Sequence, residues 1–119
     1  MIYTSYFANI KNLPENLRLV SIARSTPSYI NCEKCIELFP DWEIINLVKT
    51  NSCKESEEIY TTVYRKQLEK LDVKVIANKL QNSVLLCYEK PEDFCHRHLV
   101  AEWFRENGVG CIEYNKRNI

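Results

Sequence analysis

The chain has 119 residues, of which 45% are hydrophobic and 27% charged, and its 16 basic side chains balance its 16 acidic ones. This length suits a single domain, 1–119, and the composition is typical of a globular rather than a disordered chain. The neutral balance argues against nucleic acid as a partner, because nucleic-acid binding requires a basic surface that faces the phosphates.

We also expect no membrane partner and a cytoplasmic location. Residues 1–6 lack the basic region and long apolar run of a signal peptide, and no stretch is as long and apolar as a membrane span. Cytoplasmic thiols stay reduced, so the six cysteines are expected to be thiols rather than disulfides. Cys87 and Cys111 lie in apolar runs, which is typical of small buried side chains.

Strand and helix patterns alternate in the first half of the chain. Residues 2–6 are rich in β-formers, residues 7–13 suit a short helix, and residues 17–24 contain a second strand-like apolar run. Residues 25–54 are irregular, with one or two helical turns at 42–48. An irregular segment of this length is either a binding loop or lid, or a packed connector.

The second half of the chain begins with two helix patterns. Ser52 and Glu55 have the spacing of a capping box before a helix with apolar residues at helical intervals. Asp72 is expected to cap a second helix. The apolar side of that second helix is predicted to hold Val75, Ile76 and Leu80.

A buried strand, a helix and a last short strand complete the pattern. The apolar run 84–88 predicts the buried strand, and the helical spacing of Leu99 to Phe104 predicts a helix that ends at Asn107 and Gly108. Residues 111–114 suit the last strand. Strands separated by helices predict a small three-layer α/β fold, with a mostly parallel sheet of about four strands and flanking helices.

Candidate site residues follow the predicted strands, because ligands of open α/β sheets bind outside the carboxyl ends of the strands. We expect catalytic roles at the last helix start and the turn before it, for Cys95, His96 and Glu89. The expected ligand-binding residues, which would hold a small anionic ligand, are Arg24, Arg97, Tyr6 and Ser25.

The helix start combines a thiol, an imidazole and a guanidinium. In the first helical turn, the unpaired amides would favour the thiolate of Cys95, which is the nucleophilic form. His96 would lie about 100° from Cys95 around the helix axis, so direct proton transfer is not implied and His98 is no worse placed. Structural explanations are also open: a packed Cys95, a His96 bonded to a carbonyl, and an Arg97 paired with Glu89 or Asp93.

A CxxC pair, Cys32 and Cys35, provides a zinc-binding alternative. With Cys53 it would need one more ligand, such as Cys95 or a histidine. A lone CxxC is a weak pattern, and this one lies in an irregular segment. We therefore assign no metal ligand and no cofactor.

Residues 85–104 resemble the signature of an uncharacterised bacterial and phage family, domain of unknown function 488. An apolar strand ends in Cys87-Tyr-Glu89, a proline-bearing turn follows, and Cys95-His-Arg97 begins a helix. Residues 2–6 and 21–27 also resemble the first two strands of that family. The resemblance implies a compact α/β domain with a pocket around the signature, but no established reaction. On the matching positions it implies a site made of Arg24, Glu89, Cys95, His96 and Arg97.

These features leave three hypotheses for function. The first is an enzyme that acts on an anionic, nucleotide- or phosphate-like small molecule at the helix start of Cys95, His96 and Arg97. The second is a non-catalytic module that sequesters a small anionic ligand or a protein partner. A zinc-stabilised structural protein is the third. The sequence does not predict the oligomeric state.

Overall fold

A computed structural model describes residues 1–44, 46 and 53–114. Five parallel strands form one sheet, in the order β3-β2-β4-β1-β5. They are β1 (Ile2–Tyr6), β2 (Arg18–Ser21), β3 (Glu33–Lys34), β4 (Ser83–Cys87) and β5 (Cys111–Glu113). The predicted α/β fold with a parallel sheet is confirmed, with five strands rather than about four.

Within the described residues, three α-helices with defined bounds accompany the sheet: α1 (Cys53–Glu69), α2 (Val73–Lys79) and α3 (His96–Glu106). Short 3₁₀ helices span Phe7–Asn12 and Ile36–Leu38. Residues 42–44 and 46 are helical, as predicted, whereas the rest of the predicted 42–48 turns and Ser52 of the capping box lie outside the described residues. None of the described helices is long and apolar enough to cross a membrane.

The central strand β4 is buried along its whole length, because it has a neighbour on each side and packed layers on both faces. Its side chains alternate between the faces, as a strand requires. Leu85 packs into the cluster that contains residues of α1, α2 and α3. Val84 and Leu86 pack with Phe7 and Ile10 of the first 3₁₀ helix on the opposite face.

Strand β3 was not predicted, because its two residues are exposed and charged and carry no apolar alternation. Its position depends on polar contacts with β2. Arg18 forms a bidentate ion pair with Glu33, with N–O distances of 2.8 and 2.9 Å. The Cys35 N–H donates to the Ser21 carbonyl at 3.0 Å. Beyond β3, the chain buries Cys35 and Leu38 in the core.

The predicted start of α2 and the predicted end of α3 are confirmed, although one predicted core residue is wrong. The Asp72 carboxylate accepts from the N–H groups of Lys74 and Val75 and so caps α2. Val75 itself is 60% exposed, because the buried side of this short helix consists of Ile76 and Ala77. At the end of α3, Gly108 adopts φ 79°.

Candidate functional site

The start of α3 lies across the carboxyl ends of the parallel strands, and each of its first residues reaches a different strand. The Cys95 sulfur contacts Cys87 at the end of β4. The His96 ring contacts the carbonyl of Ile22, directly after β2. The Arg97 side chain binds Glu113, the last residue of β5. One short segment therefore joins three strands at the edge where α/β sheets bind ligands.

Cys95 is the N-cap of α3 and has an extended backbone, with φ −153° and ψ 144°. Its Sγ atom lies 3.8 Å from Nδ1 of His96. The expected separation of about 100° between the two side chains does not apply, because that angle holds only for two residues with helical backbone. The Cys95 sulfur and the imidazole are direct neighbours.

The His96 ring is held in one tautomer. Its Nε2 lies 2.8 Å from the Ile22 carbonyl oxygen, which can only accept a hydrogen bond. Nε2 must therefore carry the proton when the ring is neutral, and Nδ1 keeps its lone pair toward Cys95. Burial lowers the pKa of His96 to about 4, so the ring is neutral near pH 7.

Arg97 is fully buried and makes four hydrogen bonds. Its Nε and Nη2 donate to the two carboxylate oxygens of Glu113 at 3.0 and 2.9 Å. Its Nη1 donates to the Glu89 carbonyl at 2.6 Å and to the Cys87 sulfur at 2.9 Å. Four of the five guanidinium N–H groups thus have acceptors within the chain.

The carboxylate partner of Arg97 is Glu113, not the Glu89 or Asp93 side chain considered from the sequence. Glu113 also accepts from the Thr4 hydroxyl at 2.6 Å. Sequence reasoning missed Glu113 because it is 16 residues from Arg97 along the chain. The available signal was its position at the carboxyl end of the last predicted strand.

Cys87 is buried as predicted, but it is more than a small apolar side chain. The structure pairs its sulfur with that of Cys95 as a disulfide, where thiols were expected. The two Cα atoms are 7.7 Å apart. The guanidinium hydrogen bond from Arg97 adds a polar contact to the same sulfur. Cys111, by contrast, packs into the main core as predicted.

The cysteines and histidine at this edge form a cluster of possible metal ligands. The sulfurs of Cys87 and Cys95 and a ring nitrogen of His96 all lie within 4.8 Å of one another. No such cluster includes the CxxC pair within the described residues: Cys32 is partly exposed, Cys35 is buried, and the Cys53 side chain lies outside the description.

The other residues predicted for the site differ in where their side chains lie. The Tyr6 ring faces the Arg97 guanidinium at 5.9 Å. Arg24 points toward the segment after the second 3₁₀ helix: its Nε donates to the Pro40 carbonyl at 2.7 Å, and its guanidinium stacks on Trp42 at 4.5 Å. Ser25 and the Glu89 side chain are exposed. Burial, and secondly the charge of Glu89, raise the pKa of Tyr60.

A groove of about 620 Å³ lies between α1 and Phe94, the residue that precedes Cys95. The Tyr60 ring packs behind Phe94, with ring centroids 5.3 Å apart, and lies 6.5 Å from the ring of His96. The groove is also lined by Glu57, Glu58, Thr61 and Thr62. Its two carboxylates make it unfavourable for an anion.

The family comparison agrees with the resemblance inferred from the sequence. A model of the family DUF488-N3a, described as the active DUF488-N3 subclade, matches residues 2–108. The chain therefore belongs to the DUF488 family. No curated protein and no solved structure matches it.

Proposed function

We propose that this DUF488 chain is an enzyme that acts on a small anionic molecule, such as a nucleotide or another phosphate compound, with Cys95 as the nucleophile. The observation that carries the proposal is the fixed tautomer of His96. Its Nδ1 keeps a lone pair 3.8 Å from the Cys95 sulfur, while Nε2 is held by the Ile22 carbonyl. A thiol beside an oriented proton acceptor is the arrangement that activates catalytic cysteines.

In the proposed reaction, the reduced Cys95 sulfur bonds to an electrophilic atom of the substrate. Its proton passes to His96 Nδ1 and then to the leaving group, whose bond to the same atom breaks. Because the pKa of His96 is lowered to about 4, its Nδ1 is unprotonated near pH 7, before the reaction begins. The reaction requires the reduced pair, since a sulfur bonded to Cys87 cannot attack.

The charges of the side chains favour a position for the anion beside Arg24. The Arg24 guanidinium is exposed and stacked on Trp42, which orients it without neutralising it. Ser25 adds an exposed hydroxyl, and Glu89 an exposed carboxylate for acid–base work. Arg97 is less suited to this role, because Glu113 already neutralises it. We assign Arg97 a positioning role: it holds the start of α3 against the strand ends, and the Tyr6 ring faces its guanidinium.

The test is a substrate screen with reduced protein. Nucleotides, sugar phosphates and a cell metabolite extract are incubated with the wild type, Cys95→Ser, His96→Gln and Arg24→Gln, and the products are identified by mass spectrometry. We expect the wild type to convert an anionic compound, and Cys95→Ser to convert none. Cys32→Ser is the matched control, because this thiol lies outside the cluster and its removal should leave conversion intact.

Two results would contradict the enzyme proposal. One is equal conversion by the wild type and Cys95→Ser, which would remove the thiol from the chemistry. The other is depletion of a compound that is recovered unchanged after the protein is denatured, which would favour the binding module. Circular dichroism of each variant separates a lost reaction from a lost fold.

A further inference from the structure

Three potential metal ligands converge at the carboxyl edge of the sheet. The sulfurs of Cys87 and Cys95 and a ring nitrogen of His96 lie within 4.8 Å of one another, and the three side chains are 0%, 3% and 8% exposed. We propose that this cluster binds a thiophilic divalent metal ion, with zinc as the best fit, when both cysteines are reduced. Thiolate sulfur and neutral imidazole nitrogen are ligands that zinc prefers.

The orientation of His96 is already that of a metal ligand. Metal-binding histidines usually donate the N–H of their second ring nitrogen to a carbonyl or carboxylate, which fixes the ring. In this chain Nε2 meets the Ile22 carbonyl at 2.8 Å, and Nδ1 faces the sulfur of Cys95. The outer contact therefore directs the free lone pair toward the two sulfurs.

The backbone separation of the cysteines also suits a shared ion. Their Cα atoms are 7.7 Å apart, whereas disulfides usually span about 4.4–6.8 Å. Two thiolates on one tetrahedral zinc ion, with Zn–S distances of about 2.3 Å, have sulfurs roughly 3.8 Å apart. Because a shared ion keeps the sulfurs further apart than a direct bond does, the two backbones need not come as close together.

Charge selects a divalent ion. The negative charges of two thiolates cancel the charge of Zn²⁺, and the charge of Glu113 cancels that of the buried Arg97. The loaded cluster therefore has no net charge, as a buried site requires. Arg97 also donates to the Cys87 sulfur at 2.9 Å, which stabilises its thiolate. A monovalent copper ion would leave one negative charge. Magnesium and calcium prefer oxygen ligands.

The described cluster supplies three ligands, and tetrahedral zinc takes four. A water molecule or another small ligand would fill the fourth position. Binding would release the two thiol protons to solvent. This inference rests on the residues of the proposed function and adds a regulatory consequence, because zinc would occupy both the Cys95 sulfur and His96 Nδ1. The zinc-loaded protein should therefore be inactive.

The direct test is a titration of the whole, untagged, reduced and metal-free protein with Co²⁺, followed by displacement with Zn²⁺. We expect one equivalent of Co²⁺, with thiolate-to-cobalt charge-transfer absorption that zinc removes. Cys95→Ser, Cys87→Ser and His96→Gln should each weaken zinc affinity more than about 100-fold, since loss of an outer contact alone costs 10- to 100-fold. Cys32→Ser is the matched control and should bind like the wild type.

Two outcomes would overturn the metal inference. The first is a folded, fully reduced wild type that takes up neither ion. The second is a cobalt spectrum that survives Cys95→Ser but disappears in Cys32→Ser, which would move the site to the CxxC segment. If the cysteine variants unfold, the thermal stability of the wild type is compared with that of His96→Gln. Zinc should raise the Tm of the wild type and leave that of His96→Gln unchanged.

The two proposals can fail separately. If Cys95→Ser abolishes conversion of a metabolite while zinc does not bind the wild type, the metal inference falls and the proposed function stands. If zinc binds at Cys95 while the wild type converts nothing, the enzyme proposal falls and the metal site stands.

Discussion

Replacing Glu113 by glutamine should destabilise the fold strongly, although glutamine has the same shape. The Arg97 guanidinium is 0% exposed and has Glu113 as its counterion. Removing one partner of a buried pair costs about 3–5 kcal/mol, because the other charge is left uncompensated. The Glu113 side chain is 25% exposed, so partial solvation favours the lower end, about 3 kcal/mol.

A double-mutant cycle isolates the ion pair from the loss of packing. Arg97→Met removes the buried charge, so adding Glu113→Gln to it should cost much less than in the wild type. We expect a coupling energy of about 1–3 kcal/mol from the cycle, since the two groups are in direct contact. The exposed pair Arg18–Glu33 is the control, and Glu33→Gln should cost about 0–1 kcal/mol.

Urea denaturation followed by circular dichroism, in reducing and metal-free buffer, measures these free energies of unfolding. If Glu113→Gln lowers the free energy of unfolding by less than about 1 kcal/mol, the pair contributes no more than a surface ion pair, and the reasoning is refuted. Additive effects of Arg97→Met and Glu113→Gln would refute it as well.

Three further predictions concern stability alone and use the same urea assay. Asp72→Ala should cost about 1 kcal/mol, because the cap of α2 is lost, whereas Asp72→Asn should cost less; equal losses would contradict the capping role. Gly108→Ala should cost about 1–2 kcal/mol from its φ of 79° alone, because a Cβ there meets no atom within 4 Å; an unchanged stability would contradict this. Burial raises the pKa of Cys111 to about 12, so unfolding is favoured as pH rises above 9 and the thiol ionises only in the unfolded chain. Between pH 8 and 10 the wild type should lose about 1.4 kcal/mol more than Cys111→Val, and parallel pH profiles would contradict this.

Much of the fold was predictable because its elements carry their own local signals. The continuous apolar run of β4 indicates a strand buried on both faces. Asp72 and Gly108 indicate helix ends, since Asp72 caps free N–H groups and Gly108 readily adopts a positive φ. Strand β3 gave no such signal, since Arg18 holds it through an ion pair that exists only after folding.

The clustering of residues at the start of α3 was predictable only in part. Cys95, His96 and Arg97 were identifiable from their position at a helix start after a buried strand. Their partners were not, because Cys87, Ile22 and Glu113 come from three strands that only the sheet order brings together. Helical phase also misjudged Cys95, since the N-cap has extended backbone.

The most direct test of the account is the tautomer of His96, because both the nucleophile and the metal ligand set depend on a free lone pair at Nδ1. The chain has only two histidines, so a long-range ¹H–¹⁵N spectrum of the reduced, metal-free protein is assigned with one His98→Gln variant. We predict a neutral His96 ring at pH 7, with the proton on Nε2 and none on Nδ1. A proton on Nδ1, or a doubly protonated ring, would contradict the account.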